Sequence, residues 1–192
     1  MENQKLNDYL LNKQVRKEAM KEISRNFPLT EAMMHNYRNE LDWSEVSRNG
    51  SINWTASMME FLEHRIDWSV FSSYADERIL TPSIIERFRD KWDWKELSEN
   101  TNLHLSYELI DKYIDKWNWS SLIGNIGRGR YRLNCILKDD SISPKDFLAR
   151  YHQYIPIDDF DNSYLWNQIV EEERNKIEQE LIEMTERNRC SL

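Results

Sequence analysis

Residues 91–100 read KWDWKELSEN, and the order of residue types in this stretch recurs along the chain. Its second tryptophan belongs to a series spaced 25 or 26 residues apart: Trp43, Trp68, Trp94 and Trp119. Each of these lies 13 residues after a hydroxyl residue, and those residues are Thr30, Thr55, Thr81 and Ser106. A fixed period of this length is typical of helical units that stack into an array.

The first part of each repeat carries apolar residues at helical spacing. Counted from Thr81, offsets three, four, seven and eleven hold Ile84, Ile85, Phe88 and Trp92, which would lie on one face of an α-helix. The hydroxyl residue suits the N-cap, and the proline that follows Thr81 suits the first helical position. We therefore predict a helix of about eleven residues here, near the usual length.

A second, shorter helix is predicted directly afterwards. Asp93 is a good N-cap, Glu96 three residues later fits a capping box, and Leu97 shares a helix face with Trp94. Asn100 follows Trp94 by six residues, where asparagine can adopt the left-handed conformation that ends a helix. Each repeat is therefore predicted to be a two-helix hairpin.

The pattern W-D-W-x-x-L-S-x-N, complete from Trp92 to Asn100 and partial from Trp117 to Asn125, resembles a known repeat. That repeat is a short tandem unit found in uncharacterised bacterial and large-virus proteins. The resemblance covers the chain from Met20 to Asn125, with departures at Ile66 and Tyr74. It implies a helical array of bacterial or phage origin and assigns no functional residue.

The sequence as a whole predicts an all-α fold of one domain, residues 1–192. The expected architecture is an α-solenoid of about five two-helix repeats of about 25 residues, with a capping helix at each end. The N-terminal helix is predicted at 1–19, the repeats at 20–162 and a charged C-terminal helix at 163–192. Apolar residues at helical spacing in this last helix suggest that it could mediate homo-oligomer formation.

Charge and hydropathy exclude several classes of partner. The net charge is −8, and residues 157–192 hold ten acids against four bases. An acidic surface disfavours binding to duplex nucleic acid, because no counterions would be released from the phosphates. No apolar run reaches the roughly 20 residues that span a bilayer, and the N-terminus lacks a signal core. The sequence therefore predicts a cytoplasmic protein without a membrane segment.

The repeat pattern is interrupted near residues 124–140. A cap is expected about 25 residues after Ser106, yet the next one is Ser143, so about a dozen residues are inserted. Insertions in arrays often form the binding face. Basic residues here alternate around a tyrosine, which suits phosphate or carboxylate recognition by guanidinium groups. The candidate anion-binding or partner-binding residues are Arg128, Arg130, Tyr131 and Arg132. The alternative is that these arginines pair with the acidic tail.

Residues that could support catalysis or metal binding form no recognisable motif. The four histidines occupy different phases of the repeat, and consecutive Glu171, Glu172 and Glu173 diverge by about 100° on a helix. Cys135 and Cys190 lack a C-x-x-C partner, so no zinc site or disulfide framework is indicated. We therefore predict a protein that is not an enzyme and needs no metal or cofactor. The repeated tryptophans are predicted to pack in the core rather than stack on bases.

Two functions remain open at this point. The favoured one is a recognition module that binds a protein partner, and the acidic balance suits a basic partner such as a toxin that it masks. The alternative is a protein that sequesters a phosphate-bearing small ligand or nucleotide, as in phage or bacterial defence. Its anion site would be centred on the arginine-rich insertion.

Overall fold

The computed structural model describes residues 2–125 and 143–189, and all regular elements in these ranges are helices. The predicted all-α class is therefore confirmed for the described residues. The chain forms two compact units, Met1–Asn102 and Leu103–Leu192. The predicted single domain is a statement about cooperative folding, and it stays a prediction.

The first unit begins with a long helix and continues with three pairs of short helices. The long helix, α1, spans Glu2–Asn26 and runs unbroken through Met20, where the sequence predicts the start of the repeats. No proline, glycine or capping residue interrupts α1 at that point. The three pairs are α2 (Glu31–Asn36) with α3 (Trp43–Ser47), α4 (Ala56–Phe61) with α5 (Trp68–Tyr74), and α6 (Pro82–Arg87) with α7 (Trp94–Glu99).

The second unit contains one more such pair, followed by helices of other lengths. The pair is α8 (Tyr107–Lys112) and α9 (Trp119–Asn125). After the insertion come α10 (Pro144–Tyr151), a 3-10 turn (His152–Tyr154), α11 (Ile157–Phe160) and α12 (Tyr164–Arg189). Helix α12 occupies the segment for which the sequence predicts a charged C-terminal helix.

The first helix of each pair starts at the predicted cap but is shorter than predicted. Thr81 Oγ1 accepts from the backbone N–H of Ile84 at 3.4 Å, and the equivalent bonds begin α2, α4 and α8. These helices have six residues instead of eleven, so the predicted length is wrong. Phe88 ends α6 with φ −111° and ψ 22°, and a hydrogen-bonded turn follows.

Two hydrogen bonds hold the turn that leads from α6 into α7. In a continuous helix the N–H of Asp93 would donate to the carbonyl of Arg89, four residues earlier. Instead, the Asp93 N–H donates to Ser72 Oγ of the preceding pair at 3.0 Å. The Arg89 carbonyl accepts from the indole Nε1–H of Trp94 at 3.0 Å. Both groups are thus satisfied outside the helical ladder, and the chain can turn into α7.

The same exchange recurs in the two earlier pairs. Asp42 N–H donates to Ser24 Oγ at 3.0 Å, and Asp67 N–H donates to Ser47 Oγ at 2.9 Å. The matching indole bonds run from Trp43 to a carbonyl at 2.9 Å and from Trp68 to a carbonyl at 3.0 Å. We call this set of bonds, one serine, one aspartate and one tryptophan per pair, the serine joint. It holds each pair of the first unit to the element before it.

Asparagine reinforces the serine joint through its side chain. Asn100 Nδ2 donates to the carbonyls of Ser72 and Ala75 at 2.8 and 2.9 Å. Its Oδ1 accepts from the N–H of Asn102 at 2.8 Å. The backbone of Asn100 is extended, with φ −74° and ψ 112°, so the predicted left-handed helix end is wrong there. The asparagine instead binds carbonyls at the end of the previous pair, and Asn49 does the same for Ser24 and Phe27.

The apolar core follows the repeat positions. The residues four after each hydroxyl cap are fully buried: Met34, Met59, Ile85 and Ile110. The residues three after each repeated tryptophan are also buried: Val46, Phe71, Leu97 and Leu122. Trp43, Trp68 and Trp94 are half-buried and Trp119 is buried, in keeping with packing at the joint. Trp92 is buried as well, and its indole Nε1–H has no hydrogen-bond partner among the described residues.

Replacing Ser72 with alanine tests the serine joint. The part-buried Asp93 N–H would lose its acceptor, the buried Ser72 Oγ, so Ser72→Ala should lower the free energy of unfolding by about 1–3 kcal/mol. Ser69→Ala, at an exposed position of the same helix, is the matched control and should change little. Urea denaturation followed by circular dichroism measures both. Equal stability of the two variants would show that the joint contributes nothing.

Candidate partner-binding surfaces

The site residues predicted from the sequence, Arg128, Arg130, Tyr131 and Arg132, lie outside the described residues. The predicted anion site and the predicted pairing of these arginines with the acidic tail both stay predictions. Two other surfaces within the described residues have the composition of a binding surface. One lies on α12 in the second unit, and the other lies beside α1 in the first unit.

Helix α12 packs against its own unit along one face only. Leu165 is fully buried, Ile169 and Glu172 are half-buried, and the helix lies against α9 and α10. Burial raises the pKa of the Glu172 carboxyl above its ordinary value. Lys145 of α10 pairs with Glu173 and ties the middle of α12 to the unit. From residue 174 to residue 187 every side chain is exposed.

The exposed side of α12 carries a stripe of large apolar residues. We call it the α12 stripe, and its members are Trp166, Val170, Ile177, Leu181 and Met184. Spacings of four, seven, four and three residues place all five on one side of the helix. Leu181 is 57% exposed and Met184 is 60% exposed. A continuous exposed apolar stripe is typical of interaction surfaces, so the α12 stripe is a candidate for one.

The α12 stripe is bordered by carboxylates. Glu171 and Glu178 follow one edge, while Glu173 and Glu180 follow the other. On the first edge, Arg174 lies between Glu171 and Glu178 and makes long ion pairs with them, at 4.0 and 3.7 Å. Over Tyr164–Arg189 there are seven acids against four bases. The surface is therefore apolar along its centre and acidic along its margins.

The second surface is a groove of about 730 Å³ between α1 and the turn after α2. We call it the α1 groove. Three lysines one helical turn apart, Lys13, Lys17 and Lys21, line one wall. Buried Met20 and Leu41 lie on its floor. The opposite wall contains Glu40 and Asp42, and Arg16 forms an ion pair with Glu40 at 2.6 Å.

Sequence reasoning missed the α1 groove. The segment that forms α1 contains bases and acids in similar numbers, so its overall charge gives no sign of a basic surface. The usable signal was their position. Lys13 and Lys17 lie on the same face of α1 as Met20 and Ser24, which are buried against the first helix pair. Where a buried helix face continues past the neighbouring helices and carries lysines there, it indicates a basic recess.

A buried carboxylate fixes α1 next to α3. Arg25 donates through two nitrogens to the two carboxylate oxygens of Glu45, each at 2.9 Å. Arg48 and Lys21 lie 3.7 and 3.9 Å from the same carboxylate. The hydrogen bond from Arg25 lowers the pKa of Glu45 below its ordinary value. The cluster holds the C-terminal end of α1 in place and so fixes one end of the α1 groove.

The lowered pKa of Glu45 gives stability a pH dependence with a definite sign. The contribution of ionised Glu45 to the free energy of unfolding is complete above the pKa of an unfolded glutamate. This contribution is lost as the pH falls through the lower pKa of the folded state. Glutamine does not titrate, so the Glu45→Gln variant lacks this pH-dependent contribution to the free energy of unfolding. Between about pH 5 and about pH 3 the variant should therefore lose less stability than the unaltered chain does. Urea denaturation at several pH values measures this, with exposed Glu31→Gln as the control. Parallel curves for the unaltered chain and Glu45→Gln would contradict the assignment.

The class that these observations define is an all-α protein with one acidic and one basic candidate binding surface. No family model, curated protein or solved structure matches the chain. Among the described helices none is long and apolar enough to cross a membrane. The residues described also contain no group of three histidine, cysteine, aspartate or glutamate side chains placed to hold a metal ion.

Proposed function

We propose that this chain is an α-solenoid of about five two-helix repeats that works in the cytoplasm as a recognition module for a protein partner. Repetition of the serine joint in three successive helix pairs supports the solenoid. The function depends above all on one observation, the apolar stripe on the exposed side of α12. The module binds and masks its partner and carries out no chemistry.

The energetics of α12 favour a bound partner. Burial of apolar area is worth about 25 cal/mol per Å², so covering five large side chains that are now exposed would stabilise a complex substantially. From residue 174 to residue 187 every side chain of the same helix is exposed to solvent. An unsupported helix of this length is marginally stable in water. A partner that packs on the stripe would supply both the apolar contact and the support for the helix.

The margins of the stripe select the chemistry of the partner. Carboxylates at Glu171, Glu178 and Glu180 favour a surface with an apolar centre and basic edges, such as an amphipathic helix rich in lysine or arginine. The same charges disfavour an anionic lipid surface, which attracts helices with basic polar faces. The proposed partner is therefore a basic protein segment, in agreement with the acidic balance of the whole chain.

A peptide-binding experiment tests this function. The probe is a labelled amphipathic helix of leucine and lysine, roughly 18 residues or five turns long, and its counterpart has glutamate in place of lysine. Fluorescence anisotropy should show binding of the lysine peptide that weakens with added salt. Ile177→Ser with Leu181→Ser should weaken that binding by about tenfold or more, because the apolar centre of the stripe is lost.

The control is a double variant at two equally exposed apolar positions in the first unit, Phe61→Ser with Tyr74→Ser. It should bind the lysine peptide as the unaltered chain does. Circular dichroism checks that both double variants remain helical. Binding of the glutamate peptide with equal strength, or equal loss in both double variants, would overturn the proposed function.

A further inference from the structure

The chain itself carries a surface that complements the α12 stripe. The α1 groove has an apolar floor formed by Met20 and Leu41, and a wall of lysines. The α12 stripe has an apolar centre and carboxylate margins. An apolar centre on each side and opposite charges around it are the two requirements of a specific protein contact.

We propose that α12 of one copy docks in the α1 groove of a second copy. This inference rests on the proposed function, since it names the partner of the α12 stripe. In the contact, Leu181 and Met184 lie over the groove floor, and Glu171 and Glu178, which share one edge of the stripe, face the lysine wall. The second wall contains the acids Glu40 and Asp42, which suits the bases that α12 also carries.

Charge argues against the simpler assembly in which two copies of α12 pair with each other. Each α12 has seven acids and four bases, so two such helices side by side would bring like charges together. In α1 the balance is reversed, with six bases against four acids over Glu2–Asn26. Pairing of α12 with α1 joins opposite charges, whereas pairing of α12 with α12 does not.

The proposed contact joins two different surfaces, so it is heterologous. Each copy presents one α12 stripe and one α1 groove, and it can engage a neighbour through each. Such a contact builds rings when the rotation between copies closes, and open chains when it does not. The expected species therefore grow with concentration and are not limited to a symmetric dimer.

Sedimentation velocity tests the proposal on the full chain, from about 1 to about 200 µM protein. The weight-average sedimentation coefficient should rise with concentration in about 50 mM NaCl and rise less in about 500 mM NaCl, since salt screens exposed charges. Lys13→Glu with Lys17→Glu should abolish the rise. Glu171→Lys with Glu178→Lys should also abolish it, because each variant then has two surfaces of the same sign.

Mixing the two charge-reversed variants gives the sharpest outcome. The lysine-bearing α12 of one variant fits the acidic groove of the other, and the remaining two surfaces form the original contact. An equimolar mixture should therefore associate although neither variant does so alone. The charge-matched control is Arg65→Glu with Lys95→Glu, two exposed bases outside the groove, which should associate as the unaltered chain does.

Several results would overturn the proposal. Association of Lys13→Glu with Lys17→Glu at the unaltered strength would exclude the α1 groove and indicate α12 paired with α12. A monomer at every concentration would also overturn it, and retained binding of the lysine peptide would then leave the proposed function standing. If the glutamate variants lose helicity, the neutral pair Lys13→Gln with Lys17→Gln replaces them and should still weaken association.

Discussion

The hydrogen bond from the Asp93 N–H to Ser72 Oγ is the constraint on which the repeated structure depends. It occupies the N–H of the residue that caps α7, and the Trp94 indole N–H donates to the Arg89 carbonyl in the same turn. The turn within each helix pair of the first unit is thus bonded to the serine of the element before it. In the last turn of α1, Ser24 supplies the same acceptor to the first pair.

The sequence predicts the parts of the fold that local chemistry decides. The caps at Thr81 and Asp93 lie where the residue types indicate, because capping is settled by a side chain and the next turn of backbone. The role predicted for Asn100 was wrong, because its side chain binds carbonyls of Ser72 and Ala75, more than 20 residues earlier. The predicted helix length was also wrong, because the chain leaves the helix at Phe88 and continues in a turn. Periodicity records which face is apolar and carries no information on such tertiary bonds.

The two candidate surfaces also differ in how far the sequence predicts them. The stripe on α12 could be recognised as apolar spacing on a charged helix, and the sequence does suggest association through it. Its exposure could not be foreseen, since burial of Leu165 and exposure of Leu181 depend on how far α9 and α10 support the helix. The α1 groove requires Lys17 and Leu41 to be neighbours in space, and no local pattern indicates that.

The serine joint also has a direction. Every helix pair in the first unit takes a hydroxyl acceptor from its predecessor, and the serines of α3 and α5 in turn serve the pair that follows. A helix pair that donates to the serine before it and offers its own serine to the next pair can be duplicated or deleted in the gene without change to its neighbours. The number of helix pairs joined in this way is thus a quantity that evolution can change one pair at a time.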